Sequence, residues 1–442
     1  MRLQAAFAIT ISAALRINGQ TQPDPQEVLA HARDKILDRT DRLPNYICVQ
    51  TVDRQYSKRK HPEYPIPSCD KMIGEKDKKA YVLQLEATDR LRLDVKVSAG
   101  TEIGAWAGSS AFDDGDVIKL ARGPFGTGGF GTFLIDIFTA PGVPFSFQDA
   151  ELVDGARLLR YRFEVSLEAS HYLVHAGKEW IYAAYDGEIW VDPATFDLRR
   201  LMVRTAALPA ETNICESTTT IDYARTRIGT GDFLLPQHSN LHFLMLDTTE
   251  DDVGINYSSC HQFLGEAKLV ADPTAVTEHL SAAPRAPISI PPGLLVPIKF
   301  SQAIDSDSAA AGDVLLATVT KPVHDPASSK LVIPAGSTVH VRLVGMEHWF
   351  NQNSRFAFTL QLETVDIDGV VTPIYARLAN AQEETIARQG KAGLIARHDF
   401  YLPPPGQFRP VAHHVVYTKE KRYVIPSAYA MKFITVAPPT SE

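Results

Sequence analysis

The stretch YVLQLEATDRLRLDVKVS, residues 81 to 98, decides the fold class. Leu83 and Leu85, then Leu91, Leu93, Val95 and Val97, fall on one side of an extended chain, and Arg90, Arg92, Asp94 and Lys96 fall on the other. Successive side chains of a strand point to opposite faces, so this alternation describes an antiparallel strand with one covered and one wet face. A helix would need its apolar residues three and four apart. The pattern continues in both directions. NYICVQTVDRQY (45–56) precedes it, and RLLRYRFEVSL (157–167), HYLVHAG (171–177), EWIYAAYDGEIWVDPATFDLRRLMVRT (179–205), STTTIDYARTRI (217–228) and HSNLHFLML (238–246) follow. Each is short, turn-bounded and rich in aromatic and β-branched residues. Asp186 with Gly187 predicts a hairpin turn, and DPATFD (192–197) predicts the next.

Two short helices interrupt this meander. Asp24 and Pro25 have the form of an N-cap and first helical residue, and Val28, Leu29, Ala32 and Ile36 recur at helical spacing up to a stop before Pro44. TFLIDIF (132–138) gives about two turns before Ala140, Pro141 and Gly142 end it.

Composition shifts near Ser281, where SAAPRAPISIPPG has no periodicity and reads as a linker. Beyond it LLVPIKFSQAI (294–304), DVLLATVTKPV (313–323), TVHVRLVGM (338–346), RFAFTLQLETVDIDGVVTPIYARL (355–378) and RYVIPSAYAMKFITV (422–436) alternate again. Phe356, Phe358, Leu360 and Leu362 face inward, and Asp368 with Gly369 turns a hairpin. IPPG, IPAG and IPSA at 290, 333 and 425 are turn chemistry beside strands. The segment 380–410 is irregular. The predicted class is mainly β (α+β). A signal peptide spans 1–20, an N-terminal antiparallel half-barrel with a few helices 21–280, a Pro/Ala-rich linker 281–292, and a separate C-terminal β-barrel or β-sandwich 293–442.

Arg2 before the apolar run Ala5–Leu15 has the layout of a secretory signal, and no later segment is long and apolar enough to span a bilayer. The expected location is periplasmic or extracellular. Cys48, Cys69, Cys215 and Cys260 lack C-x-x-C spacing and read as two disulfides of an oxidising compartment, with local pairing (48 with 69, 215 with 260) the preferred connectivity.

The chemistry-bearing motifs are sparse. A net charge of −8 over 442 residues gives no electrostatic footprint for nucleic acid, and SKRKH (57–61) reads as a solvated loop. GTGGFG (126–131) fits G-x-G-x-x-G at Gly126, Gly128 and Gly131 but lacks the preceding strand and following acid of a dinucleotide site, so it reads as a packing connection. G-x-S-x-G, H-E-x-x-H and Walker motifs are absent from the sequence. SCDK (68–71) matches S-x-x-K by chance. His238 with His242, and His171 with His175, are too far apart on strands to share one ion. The acid clusters at Asp113–Asp116 and Asp247–Asp252 read as solvated turns. Trp106, Trp180, Trp190 and Trp349 read as core. No catalytic residue, metal or cofactor is expected.

At YDGEIWVDPATFDLRRLMV (185–203) the chain resembles the carriers and acceptors of the outer-membrane lipoprotein-sorting system, through Gly187, Ile189, Trp190, Val191, Asp192 and Pro193. The resemblance spans about 150–250 and implies a half-open barrel, capped by helices, that shields an acyl chain. LPNYICVQT (43–51) is similar to uncharacterised secreted bacterial proteins. Residues 288–375 are similar to the β-barrel domain of conjugative-transfer channel proteins, which implies a partner-contacting module without catalysis. The expected function is therefore an exported, non-enzymatic envelope protein. It would bind a lipid or lipoprotein acyl chain against Leu83, Leu85, Leu91, Leu93, Val95, Ile189 and Val191, with an envelope partner for the C-terminal half. A structural module without small ligand and a secreted hydrolase with dispersed acids are the alternatives.

Overall fold

The computed structural model describes residues 23–40, 44–98, 101–109, 112, 132–140, 142–176, 179–206, 208–263, 288–350, 354–379 and 412–438. The expected signal peptide, the glycine-rich connection 126–131, Asp113–Asp116, most of the linker and the segment 380–410 lie outside these residues.

Antiparallel β structure dominates, with three α-helices among the described residues. The first half comprises α1 (Pro25–Thr40), β1 (Tyr46–Arg59), α2 (Cys69–Asp77), β2 (Leu83–Ser98), β3 (Thr101–Trp106), α3 (Thr132–Thr139), β4 (Phe145–Val153), β5 (Ala156–Val165), β6 (Leu173–Ala176), β7 (Glu179–Tyr182), β8 (Tyr185–Val191), β9 (Leu198–Ala206), β10 (Ile214–Ile228), β11 (Gly231–Met245) and β12 (Thr249–Gln262). The ladders run 4-5-8-9-10-11-12-1-2-3, with β6 and β7 as a separate hairpin. Among the described residues no helix is long and apolar enough to cross a membrane.

α1 and α3 form where their spacing predicts. Asp24 Oδ1 accepts from Gln26 N at 3.0 Å, and Val28, Ala32 and Ile36 pack with Phe133, Leu134, Ile137 and Phe138 of α3 on Tyr161, Ile189, Leu201 and Ile221. This defines the inner face of the sheet. α2 lies on the other side, its Met72 against Leu244 and Cys215.

The second half comprises β13 (Leu295–Phe300), β14 (Ile304–Asp305), β15 (Val314–Val319), β16 (Val323–His324), β17 (Leu331–Ile333), β18 (Thr338–Trp349), β19 (Arg355–Ile367), β20 (Val370–Pro373), β21 (Ala376–Leu378), β22 (Ala412–Tyr417), β23 (Val424–Ile425) and β24 (Ala430–Thr435). Its main ladders run 22-19-18-15-13-24-21 around one core that includes Val296, Phe300, Val341, Phe358, Leu360 and Phe433.

The two halves share hydrogen bonds through β2. Its edge pairs with β3 over Leu93–Ser98 and with β18 over Ala87–Asp89, and Ala311 exchanges backbone bonds with Arg90 and Arg92 in between. Arg342, buried on β18, reaches Glu363 at 2.5 Å and the carbonyls of Ala107 at 2.9 Å and Gly312 at 2.7 Å. Arg92 pairs with Asp313 across the same seam.

Several expectations are corrected. The disulfides are Cys48–Cys260 and Cys69–Cys215, because β1 pairs with β12 across 212 residues and α2 docks on β10. Asp186 and Gly187 sit inside β8, while Asp368 and Gly369 do turn the β19–β20 hairpin. A Cβ at Gly187 would lie 2.0 Å from the Met202 carbonyl oxygen and 2.6 Å from the Phe163 ring, so the glycine serves close strand packing. The DPATFD turn forms, with Asp192 Oδ1 accepting from Ala194 N at 2.9 Å. Residues 57–59 belong to β1, and Arg59 is buried with its guanidinium on Glu75 at 2.6 Å. Trp180 is half-exposed on the β6–β7 hairpin, not in a core.

Candidate functional site

The inner face of the first sheet is ordered in cross-strand rows fixed by register. One row reads Tyr161, Ile189, Leu201, Ile221, Ser239, Ile255, Val52 and Leu91 across β5, β8, β9, β10, β11, β12, β1 and β2. All eight are buried, and Ser239 alone interrupts an apolar floor. Directly opposed side chains on adjacent strands are close enough to touch, which makes the row continuous.

The helices cover only part of this floor. The cluster over β5, β8, β9 and β10 contains α1 and α3, whereas the cluster over β11, β12, β1 and β2 contains no helical residue among those described. That second cluster includes Leu91, Leu93, Val95, Leu241, Phe243, Val253 and Ile255.

The expected ligand residues thus divide. Leu91, Leu93 and Val95 belong to the cluster without helices; Ile189 and Val191 lie beneath α1 and α3; Leu83 is 37% exposed at the start of β2 and Leu85 is half-buried there. The register brings Ile189 and Leu91 into one row, with five strands of sheet (β9, β10, β11, β12 and β1) between them.

The flanking rows are polar in places that alternation does not reveal. On one side stand Phe163, Gly187, Val203, Thr219, Leu241 and Val253, ending in Arg54, Asp89 and Glu347. Arg54 is buried and donates through Nε and Nη2 to Asp89 at 2.7 and 2.6 Å, and Tyr56 donates to the same carboxylate at 3.2 Å. Glu347 accepts from Trp349 Nε1 at 2.8 Å. Burial pushes its pKa up to about 7; the Trp349 hydrogen bond opposes this, the Asp89 charge adds to it, and Arg54 and Arg355 oppose it. On the other side of the floor Tyr257, Gln50, Leu93 and Trp106 follow one another across β12, β1, β2 and β3, and Tyr223 of β10 is buried on the same face; burial raises the pKa of both tyrosines, so they are neutral hydroxyls.

Further out, Thr205 and Ser217 face each other across β9 and β10, and Tyr185 lies beside Thr205. A charged or hydroxyl residue sharing the parity of buried apolar neighbours, as Asp89 shares that of Leu91, is the signal that could have found these positions.

The remaining motifs have structural roles. Ser68 caps α2 and Cys69 is disulfide-bonded, so SCDK holds no nucleophile–base pair. Only Asp247 and Thr248 of the acid cluster form a turn; Glu250 and Asp251 are buried in β12, which corrects the solvated-turn reading. His242, on the outer face, lies 2.8 Å from Asp252 and 3.4 Å from Glu250. Burial opposes its protonation, but these two acids raise its pKa. His238 contacts Asn256 at 2.6 Å instead of His242. No group of three His, Cys, Asp or Glu is placed to hold a metal among the described residues.

No family model matches the sequence, and no curated protein matches it. Solved structures with similar features include a domain named for outer-membrane lipoprotein sorting from Vibrio parahaemolyticus, at 11% identity over 54% of this chain and 93% of that one, TM-score 0.27. A DUF1329 family protein from Desulfovibrio piger shows 10% identity over 55% and 95%, TM-score 0.27. A LolA superfamily protein from Nitrosomonas europaea shows 10% identity over 52% and 94%, TM-score 0.22.

Proposed function

We propose that this is an exported, non-enzymatic envelope protein that binds an acyl chain on the inner face of its first sheet, over β11, β12, β1 and β2. The carrying observation is the apolar row from Tyr161 to Leu91, half of it under α1 and α3 and half with no helix among the described residues. A linear hydrocarbon matches such a row in shape and chemistry, and burying it is favourable by about 0.8 kcal/mol per methylene. Two disulfides fit an oxidising compartment, which supports export. The C-terminal half then serves as the support of β2 and as a surface for an envelope partner.

Native mass spectrometry of the protein, exported and purified without detergent, tests the reading. The expected result is a retained mass that extracts into organic solvent and behaves as a lipid. A clean apo mass, with no uptake of a fluorescent acyl probe by the same sample, refutes it.

A further inference from the structure

Two buried hydroxyls on the inner face lack hydrogen-bond partners among the described residues: Tyr185 Oη, on a residue 3% exposed, and Thr205 Oγ1, on a residue 1% exposed. They are neighbours. Asp186 pairs with Arg204, which sets Tyr185 beside Thr205 across the β8–β9 ladder, and Thr205 in turn faces Ser217 on β10. Ser217 meets the hydroxyl of Tyr172, whose ring lies 5.8 Å from that of Tyr185. The surroundings are apolar, with Phe133 and Phe163 both against Tyr185 at 6.3 Å between ring centres. A buried hydroxyl that makes no bond loses its hydration with nothing in return, so such groups are uncommon unless a further molecule meets them.

The acid whose charge acts on Tyr185 among the described residues is Asp136 on α3. Burial raises its pKa, against the opposing pull of His171 at 3.3 Å, and its field acts on the Tyr185 hydroxyl. Neither Tyr185 nor Thr205 carries a positive charge. The set therefore offers hydroxyl donors in an uncharged setting and disfavours an anion beside Asp136.

We infer that Tyr185 and Thr205, with the Ser217–Tyr172 pair beside them, form the polar end of the inner-face site and take the carbonyl oxygen of a neutral acyl group, an ester or amide, over a free carboxylate. This rests on the acyl-chain reading above and adds the chemistry of the ligand's linked end. The chain runs along the floor from Ile221 towards Val52, and the carbonyl oxygen sits at the β8–β9–β10 side.

The test uses the full protein and competition against a bound fluorescent acyl probe at pH 8, with methyl hexadecanoate, hexadecanoate and hexadecane as competitors. The wild type is expected to prefer the ester over the alkane by about tenfold, the worth of one or two hydrogen bonds, and over the carboxylate by at least as much. Y185F and T205V, which are near-isosteric, are each expected to remove most of the ester-over-alkane preference and leave alkane affinity and thermal midpoint unchanged. Equal affinity of the wild type for ester and alkane overturns the polar-end assignment and leaves acyl binding standing. An unchanged preference in the Y185F/T205V double variant overturns it too, as does a lowered midpoint in both single variants, which would mean that the hydroxyls have partners inside the fold. Failure of every competitor and of the probe to bind overturns the acyl-chain reading itself.

Discussion

Replacing Glu347 by glutamine should make the protein more stable at alkaline pH and leave it almost unchanged at pH 5. Glu347 lies directly across the β2–β18 ladder from Asp89, which is held by Arg54 and Tyr56, and Arg355 lies over the ring of Trp349 at 4.7 Å. Burial raises its pKa from 4.5 to about 7. Between these values the folded chain holds a proton that the unfolded chain has released, so stability falls as pH rises through the window. At about 1.36 kcal/mol per pKa unit the loss approaches ~3 kcal/mol above pH 7. Glutamine keeps an acceptor for Trp349 Nε1 and carries no charge. In urea unfolding followed by tryptophan fluorescence, E347Q should lie within about 1 kcal/mol of wild type at pH 5 and be about 3 kcal/mol more stable at pH 8.5. The same difference at both pH values, or a less stable variant at pH 8.5, would refute the reasoning.

Gly187→Ala should prevent accumulation of folded protein, since its Cβ would meet the Met202 carbonyl at 2.0 Å, a backbone clash of the class that costs more than about 4 kcal/mol; a midpoint within about 3 °C of wild type would count against it. The C69S/C215S double variant should lose about 2 to 5 kcal/mol and expose Lys71 and Lys76–Lys79 of α2 and its C-terminal turn to trypsin, because this disulfide fastens α2 to the sheet; unchanged cleavage would show that Met72 packing and the Arg59–Glu75 pair suffice. Arg342→Ala should cost about 3 to 5 kcal/mol by leaving Glu363 and the carbonyls of Ala107 and Gly312 without their donor, read as a lowered thermal midpoint.

Alternation along residues 81–98 and helical spacing in 25–40 are local properties, so β2 and α1 were legible from the sequence. Two Asp-Gly pairs show where local reading stops. Asp368 and Gly369 turn a hairpin, yet Asp186 and Gly187 lie in mid-strand, and what separates them is Met202 and Phe163 on neighbouring strands. The cysteines fail for the same reason: Cys48 and Cys260 meet only because β12 returns to β1, a register that no short window contains. Alternation assigned Leu91, Leu93 and Val95 to one face correctly. It could not place Ile189 in the row of Leu91, nor group Leu83 apart from both, since a row exists only once every register between the strands is fixed.

The same registers explain why the chain's compositional break is not a break in its hydrogen bonding. β2 is longer than the partner that its own half supplies: β3 covers Leu93 to Ser98, and the exposed edge before it would invite pairing with another chain. β18 closes that edge at Ala87–Asp89, with Ala311 bridging the interval, so the second half protects a strand that the first half needs. The cost is chemical. Covering the edge brings Glu347 opposite Asp89 on the parity of Leu91, where burial disfavours the charged form. Arg54 answers one of these carboxylates by bidentate bonding, and the other is left to protonate near neutral pH, so the charged end of the row that flanks the floor follows from how the two halves join.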